Sequence, residues 1–169
     1  MHYMPAMWIS KKMLLRFSQY LYLLVLGITS GGIIMAGAIV APTIFYPNNI
    51  IGSGHLDRFL SGLLMTSIFN KFNYVLLICL TFIILYELKL RINGIVEYTK
   101  LILAILSAIL ISAFSFYFIP QIINLQSMQS LTITDQAAFN NLHQYSELCF
   151  KLLLITLLGL FFFNIPKTK

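Results

Sequence analysis

The chain has 169 residues, of which 59% are hydrophobic and 9% charged, with a mean hydropathy of +0.88 and a formal net charge of +6. Domains that live in water carry about 25% charged residues, so this composition excludes an ordinary water-solvated surface and makes the lipid bilayer the expected solvent. The basic residues sit at the ends of apolar runs rather than in a patch. They therefore read as topology signals, and a nucleic-acid partner is excluded.

Residues 1–16 precede the first apolar run and include Lys11, Lys12 and Arg16. They are expected to form a disordered cytoplasmic N-terminus, with Met13 as an alternative start. The basic cluster, the apolar run and "AGA" (Ala36 to Ala38) together resemble a signal peptide, but the run is longer than a usual signal core.

The membrane domain is expected over residues 17–163. Its first span runs from Phe17 to Ala41 and stops at Pro42. Gly27, Gly31 and Ala38 fall on nearly one helical face. Small residues let helices approach closely in lipid, so this face is expected to be the packing face.

The second span covers Tyr74 to Leu88. It is short for a bilayer core of about 30 Å. Ser53-Gly54 can open a helix at His55, and the amphipathic stretch from there would extend the span on the outer side, with a bend at "NKFN" (Asn70 to Asn73). The third span runs from Leu101 to Ile119 and ends at Pro120. The connection from Pro120 to Asn141 has no Lys or Arg, which suits an exported loop.

The fourth span, Leu148 to Phe163, is extended by amphipathic turns beginning at Thr134 or Asp135. In "FNNLHQYSELCFK" (Phe139 to Lys151), Asn140, His143, Glu147 and Lys151 recur every three or four residues and share one face. Residues 164–169 form a cytoplasmic tail.

Continuous apolar runs in lipid fold as helices, since only a helix satisfies its own backbone. The expected fold is an all-α membrane protein, a four-transmembrane-helix bundle. With the N-terminus inside, eight Lys and Arg are cytoplasmic, while Arg58, Lys71 and Lys151 lie on the other side. This places both termini in the cytoplasm. The two halves are loosely alike: each has a long helix ending at a proline, an outer loop, a histidine, and a lysine before the next span. They would be parallel hairpins related by an axis along the membrane normal.

His143 with Glu147 one turn later is the sharpest chemical pair. A carboxylate beside an imidazole can orient it for metal binding, proton transfer or a haem face, or the two can simply fix helix register. His55 is placed on the same side. Together with His143 and Met65 or Met35 it could hold copper or a haem. No CxxC, CxxCH, HExxH, Walker or dinucleotide motif occurs, so an enzyme of soluble type is not expected and no cofactor is required. Cys79 and Cys149 read as small apolar core residues. Glu87 and Glu97 read as salt-bridging partners of Lys89, Arg91 and Lys100.

Three stretches in order are similar to one family: "AGAIVAPTIF" (Ala36 to Phe45), "LMTSIFNKFNYVL" (Leu64 to Leu76) and "FNNLHQYSE" (Phe139 to Glu147). This is the bacterial domain of unknown function 4149, related to the eukaryotic transmembrane protein 205. The resemblance carries over at Pro42, Phe45, Phe69, Leu142, His143 and Ser146. It implies four membrane helices and no assigned enzymatic activity. The expected function is a small membrane protein that supports or partners a membrane complex, or a homo-oligomer. The alternative is a permease-like or metal- or haem-handling protein using His55 and His143.

Overall fold

The computed structural model describes residues 6–46, 58–95, 97–127 and 133–166. Every regular element among them is helical. The helices are α1 (Ala6–Met35), α2 (Ala41–Phe45), α3 (Arg58–Ile92), α4 (Tyr98–Ala113), α5 (Ile119–Ser127) and α6 (Ile133–Phe163). Three stretches are long and apolar enough to cross a membrane: Met13–Phe45, Tyr98–Ser127 and Asn141–Phe163.

The first helix starts at Ala6, well ahead of Phe17, so Ala6 to Arg16 are helical rather than disordered. Neither proline ends its helix as expected. A π-helical turn, Ala36–Val40, joins α1 to α2, and another, Phe114–Phe118, joins α4 to α5. In each, the amide just before the proline donates to the carbonyl five residues back: Ala41 to Ala36, and Ile119 to Phe114. Proline lacks an N–H and clashes with the carbonyl four residues earlier. One widened turn absorbs that clash and lets the helix continue. Hence much of the expected loop after Pro120 is helix α5. Helix α3 runs without interruption through Asn70 to Asn73, and at about 1.5 Å per residue it is roughly 50 Å long.

The long helices form a closed ring in which α1 touches α3 and α6, and α4 touches the same two. The core is built from Leu26, Ile33, Leu76, Ile83, Ile111, Leu153, Leu157 and Leu160. Towards the end that carries α2 and α5, the bundle axis is filled by rings. Phe150 packs on Phe114, Phe69 and Phe72, with centroids 4.7, 5.1 and 6.0 Å away. At the opposite end Gln19 Nε2 donates to the Asn164 carbonyl at 2.7 Å, and Lys89 Nζ donates to Ser18 Oγ at 2.7 Å. The chain thus enters and leaves the bundle at the end that also holds Arg91 and Lys100, here termed the basic end.

The likeness of the halves extends to register. Pro42 and Pro120 are 78 residues apart. The same shift carries buried Leu26, Thr29, Ile33 and Ala36 onto buried Ala104, Ser107, Ile111 and Phe114. A shift of 77 carries buried Leu76, Cys79 and Ile83 onto buried Leu153, Thr156 and Leu160. The equivalent helices, α1 with α4 and α3 with α6, stand diagonally across the ring.

The expected packing face of α1 is turned outward. Gly31 and Ala38 are exposed, and a β-carbon on Gly31 would meet nothing within 4 Å. Gly27 lies at the flank, 3.6 Å from the Phe161 ring when given a β-carbon. The close approach is at Gly32, which faces Phe72. The inward face of α1 instead carries Tyr22, Leu26, Thr29 and Ile33. In lipid both faces are apolar, so hydropathy alone does not tell them apart.

Candidate functional site

Helix α6 brings the opening turns of the polar stripe to the end of the bundle opposite the basic end. His143 is half-buried and lies among aromatic rings. Its ring is parallel to Phe139, with centroids 6.2 Å apart, and 6.4 Å from Phe45 at the end of α2. Ser146, one turn on, is buried and its Oγ donates to the His143 carbonyl at 2.7 Å. That bond satisfies a hydroxyl locally without a partner helix.

Glu147 does not join His143. It faces outward with Lys151, whose Nζ lies 2.7 Å from Glu147 Oε1, and both side chains are more than half exposed. The four-residue interval permits this pair on any helix. The stripe therefore divides: His143 turns towards α2, while Glu147 and Lys151 turn away from the core. Asn140 is part of α6, but its side chain lies outside the described residues, and so does all of His55.

Met65 is buried as a member of the core cluster, against which Phe69 and Phe72 pack. Met35 is exposed. Cys79 and Cys149 are buried and unbridged, Cys149 Sγ donating to the Leu110 carbonyl at 3.5 Å. Among the described residues no three His, Cys, Asp or Glu side chains converge as a metal site. Between the Phe114–Phe118 turn and α6 an apolar groove of about 350 Å³ opens on the bundle exterior, lined by Leu110, Tyr117, Phe118, Tyr145, Leu148 and Leu152 among others.

The polar contacts that sequence reasoning missed lie between helices. Ser107 Oγ donates to Thr156 Oγ1 at 2.9 Å, Gln126 Nε2 to Thr66 Oγ1 at 2.9 Å, and Ser61 Oγ to the Ile44 carbonyl at 3.1 Å. Ser115 Oγ donates to Asn73 Oδ1. The available signal was small hydroxyls placed in step with the buried aliphatics inside apolar runs, where interhelical hydrogen bonds form in lipid.

A bundle of apolar-faced helices, knitted inside by hydroxyl and amide pairs, with three stretches able to cross a bilayer, is a multi-pass membrane protein. Residues 24–130, more than half of the chain, match the family described as "Domain of unknown function (DUF4149)", and the chain belongs to that family. The match ends before α6 and so does not include His143. No curated protein and no solved structure matches the chain.

Proposed function

We propose that the protein is a four-span bacterial inner-membrane protein, with both termini cytoplasmic, that has no catalytic activity of its own and supports or partners a membrane complex. The fourth span is α3. Its run from Tyr74 to Leu88 is apolar, and Leu76, Cys79 and Ile83 share the core with the other three long helices. The amphipathic starts of α3 and α6 extend beyond the membrane on the non-cytoplasmic side. One observation carries the supporting role: the polar side chains inside the bundle join helix to helix, as Ser107 does Thr156 and Gln126 does Thr66. Gentle detergent extraction followed by crosslinking and co-purification tests it. Recovery of a stoichiometric membrane partner is expected, and a chain that crosslinks to nothing in its native membrane would overturn it.

A second reading rests on His143. Its half-buried place among Phe45 and Phe139 is a setting in which an imidazole can meet a haem or copper ion, with His55 as the second ligand. The absorption spectrum and metal content of the purified protein separate the two readings. A Soret band or stoichiometric copper favours the second.

A further inference from the structure

The apolar groove between α4 and α6 has a depth in the membrane that can be read from both of its walls. On α6 its ends are Leu152 and Leu142. At the helical rise these lie about 17 Å and about 32 Å from Phe163, where that span ends. On the other wall its ends are Leu110 and Phe118. These lie about 18 Å and about 30 Å from Tyr98, where the α4 span begins. The hydrocarbon core of a bilayer is about 30 Å thick. Both walls therefore put one end of the groove near the bilayer midplane and the other at the surface remote from the basic end. Its length is the depth of one leaflet.

The residues explain why the helices part along this stretch. Nearer the basic end, small side chains let α4 lie close to α6. A β-carbon on Gly159 would be 3.2 Å from Leu103, and Ser107 Oγ is 2.9 Å from Thr156 Oγ1. Further out, the rings of Phe114 and Phe150 stand between the helices, with centroids 4.7 Å apart. On the outer flank Ala113 is small, and Cys149 Sγ turns in to the Leu110 carbonyl at 3.5 Å. The other half of the fold supplies a contrast. The 77-residue shift maps Cys149 onto Phe72 and the 78-residue shift maps Leu110 onto Gly32, and there the Phe72 ring is seated against Gly32.

We propose that the groove is a lipid site, holding one acyl chain of a phospholipid from the leaflet remote from the basic end. This rests on the membrane spans of the reading above. The volume of about 350 Å³ lies within the range of small-ligand pockets. The lining is aliphatic and aromatic, and its open side meets hydrocarbon. Two features of the surroundings fit a phospholipid. Tyr117 and Tyr145 are more than half exposed towards the surface end of the groove, and amphipathic rings of this kind sit at headgroup level. Beside Leu148, Lys151 Nζ reaches back to Glu147 Oε1, one turn closer to the surface, at 2.7 Å. That exposed cation and anion are the complement of the phosphate and ammonium of a zwitterionic headgroup.

The test uses the full chain in vesicles of phosphatidylethanolamine and phosphatidylglycerol. A tracer phosphatidylethanolamine carries a diazirine near the middle of one acyl chain. Light links the chain to its neighbours, and peptide mass spectrometry locates the links. Ile34 and Met35 serve as the reference, being comparably exposed on α1 and at about the same depth counted from the Gln19–Asn164 contact. Labelling of Ala113, Tyr117, Leu148 and Leu152 is expected to exceed that of the reference several-fold. Ala113→Phe, which fills the groove from one wall, should abolish the excess and leave the reference unchanged. Equal labelling of groove and reference in the wild type would mean that ordinary boundary lipid covers both and would overturn the proposal, whether or not Ala113→Phe folds. So would an excess that survives Ala113→Phe, or a groove labelled less than the reference, which would mean that a second copy covers it. Labelling of neither face would overturn the membrane spans themselves, and the lipid site with them.

Discussion

The ring of Phe72 occupies the space that a β-carbon on Gly32 would fill. This contact joins α1 to α3 where the aromatic cluster fills the bundle axis. Gly32→Ala is expected to destabilise the protein by about 1–3 kcal/mol, the usual range for overpacking. Combining it with Phe72→Leu should recover part of that loss, since the two positions are in contact. Gly31→Leu, one residue away and facing outward, should leave thermal stability in detergent near that of the wild type. A large loss at Gly31 together with none at Gly32 would mean that α1 is rotated relative to this arrangement.

Ser107 and Thr156 join α4 to α6 inside the core. Ser107→Ala and Thr156→Val should each cost about 0.6–1.7 kcal/mol, and the double variant less than the two together. Thermal unfolding of the four proteins in one detergent measures the coupling. Simple additivity would leave the pair as two unrelated hydroxyls.

Glu147 is paired with Lys151 rather than with His143. A double-mutant cycle over Glu147→Ala and Lys151→Ala should therefore return a small coupling, about 0.3–0.5 kcal/mol. The cycle over His143→Ala and Glu147→Ala should be additive. A coupling above 1 kcal/mol between His143 and Glu147 would show that the stripe acts as one site.

Reporter fusions at Ser130 and Lys169 check the span count. Activity typical of the non-cytoplasmic side is expected at Ser130, and cytoplasmic activity at Lys169. Fusions reporting the same side at both positions would remove α6 as a span and with it the four-span arrangement.

The sequence by itself determined that this chain is helical and multi-pass. Continuous apolar runs and scarce charge leave a backbone in lipid no other way to satisfy its N–H and C=O groups. It also determined the likeness of the two halves, because Pro42 and Pro120 punctuate them at the same point. Only the tertiary structure decided which face of α1 turns inward. Gly31 and Leu26 are equally at home in lipid or in a core, so the choice falls to shape, in this case the fit of Phe72 against Gly32. It also decided that Pro42 and Pro120 lie within helices, since a widened turn is a solution the residue types permit but do not require. Last, it divided the polar stripe, turning His143 towards Phe45 and Glu147 outward: helical spacing says which residues are neighbours on one helix, and only the position of the next helix says what each of them meets.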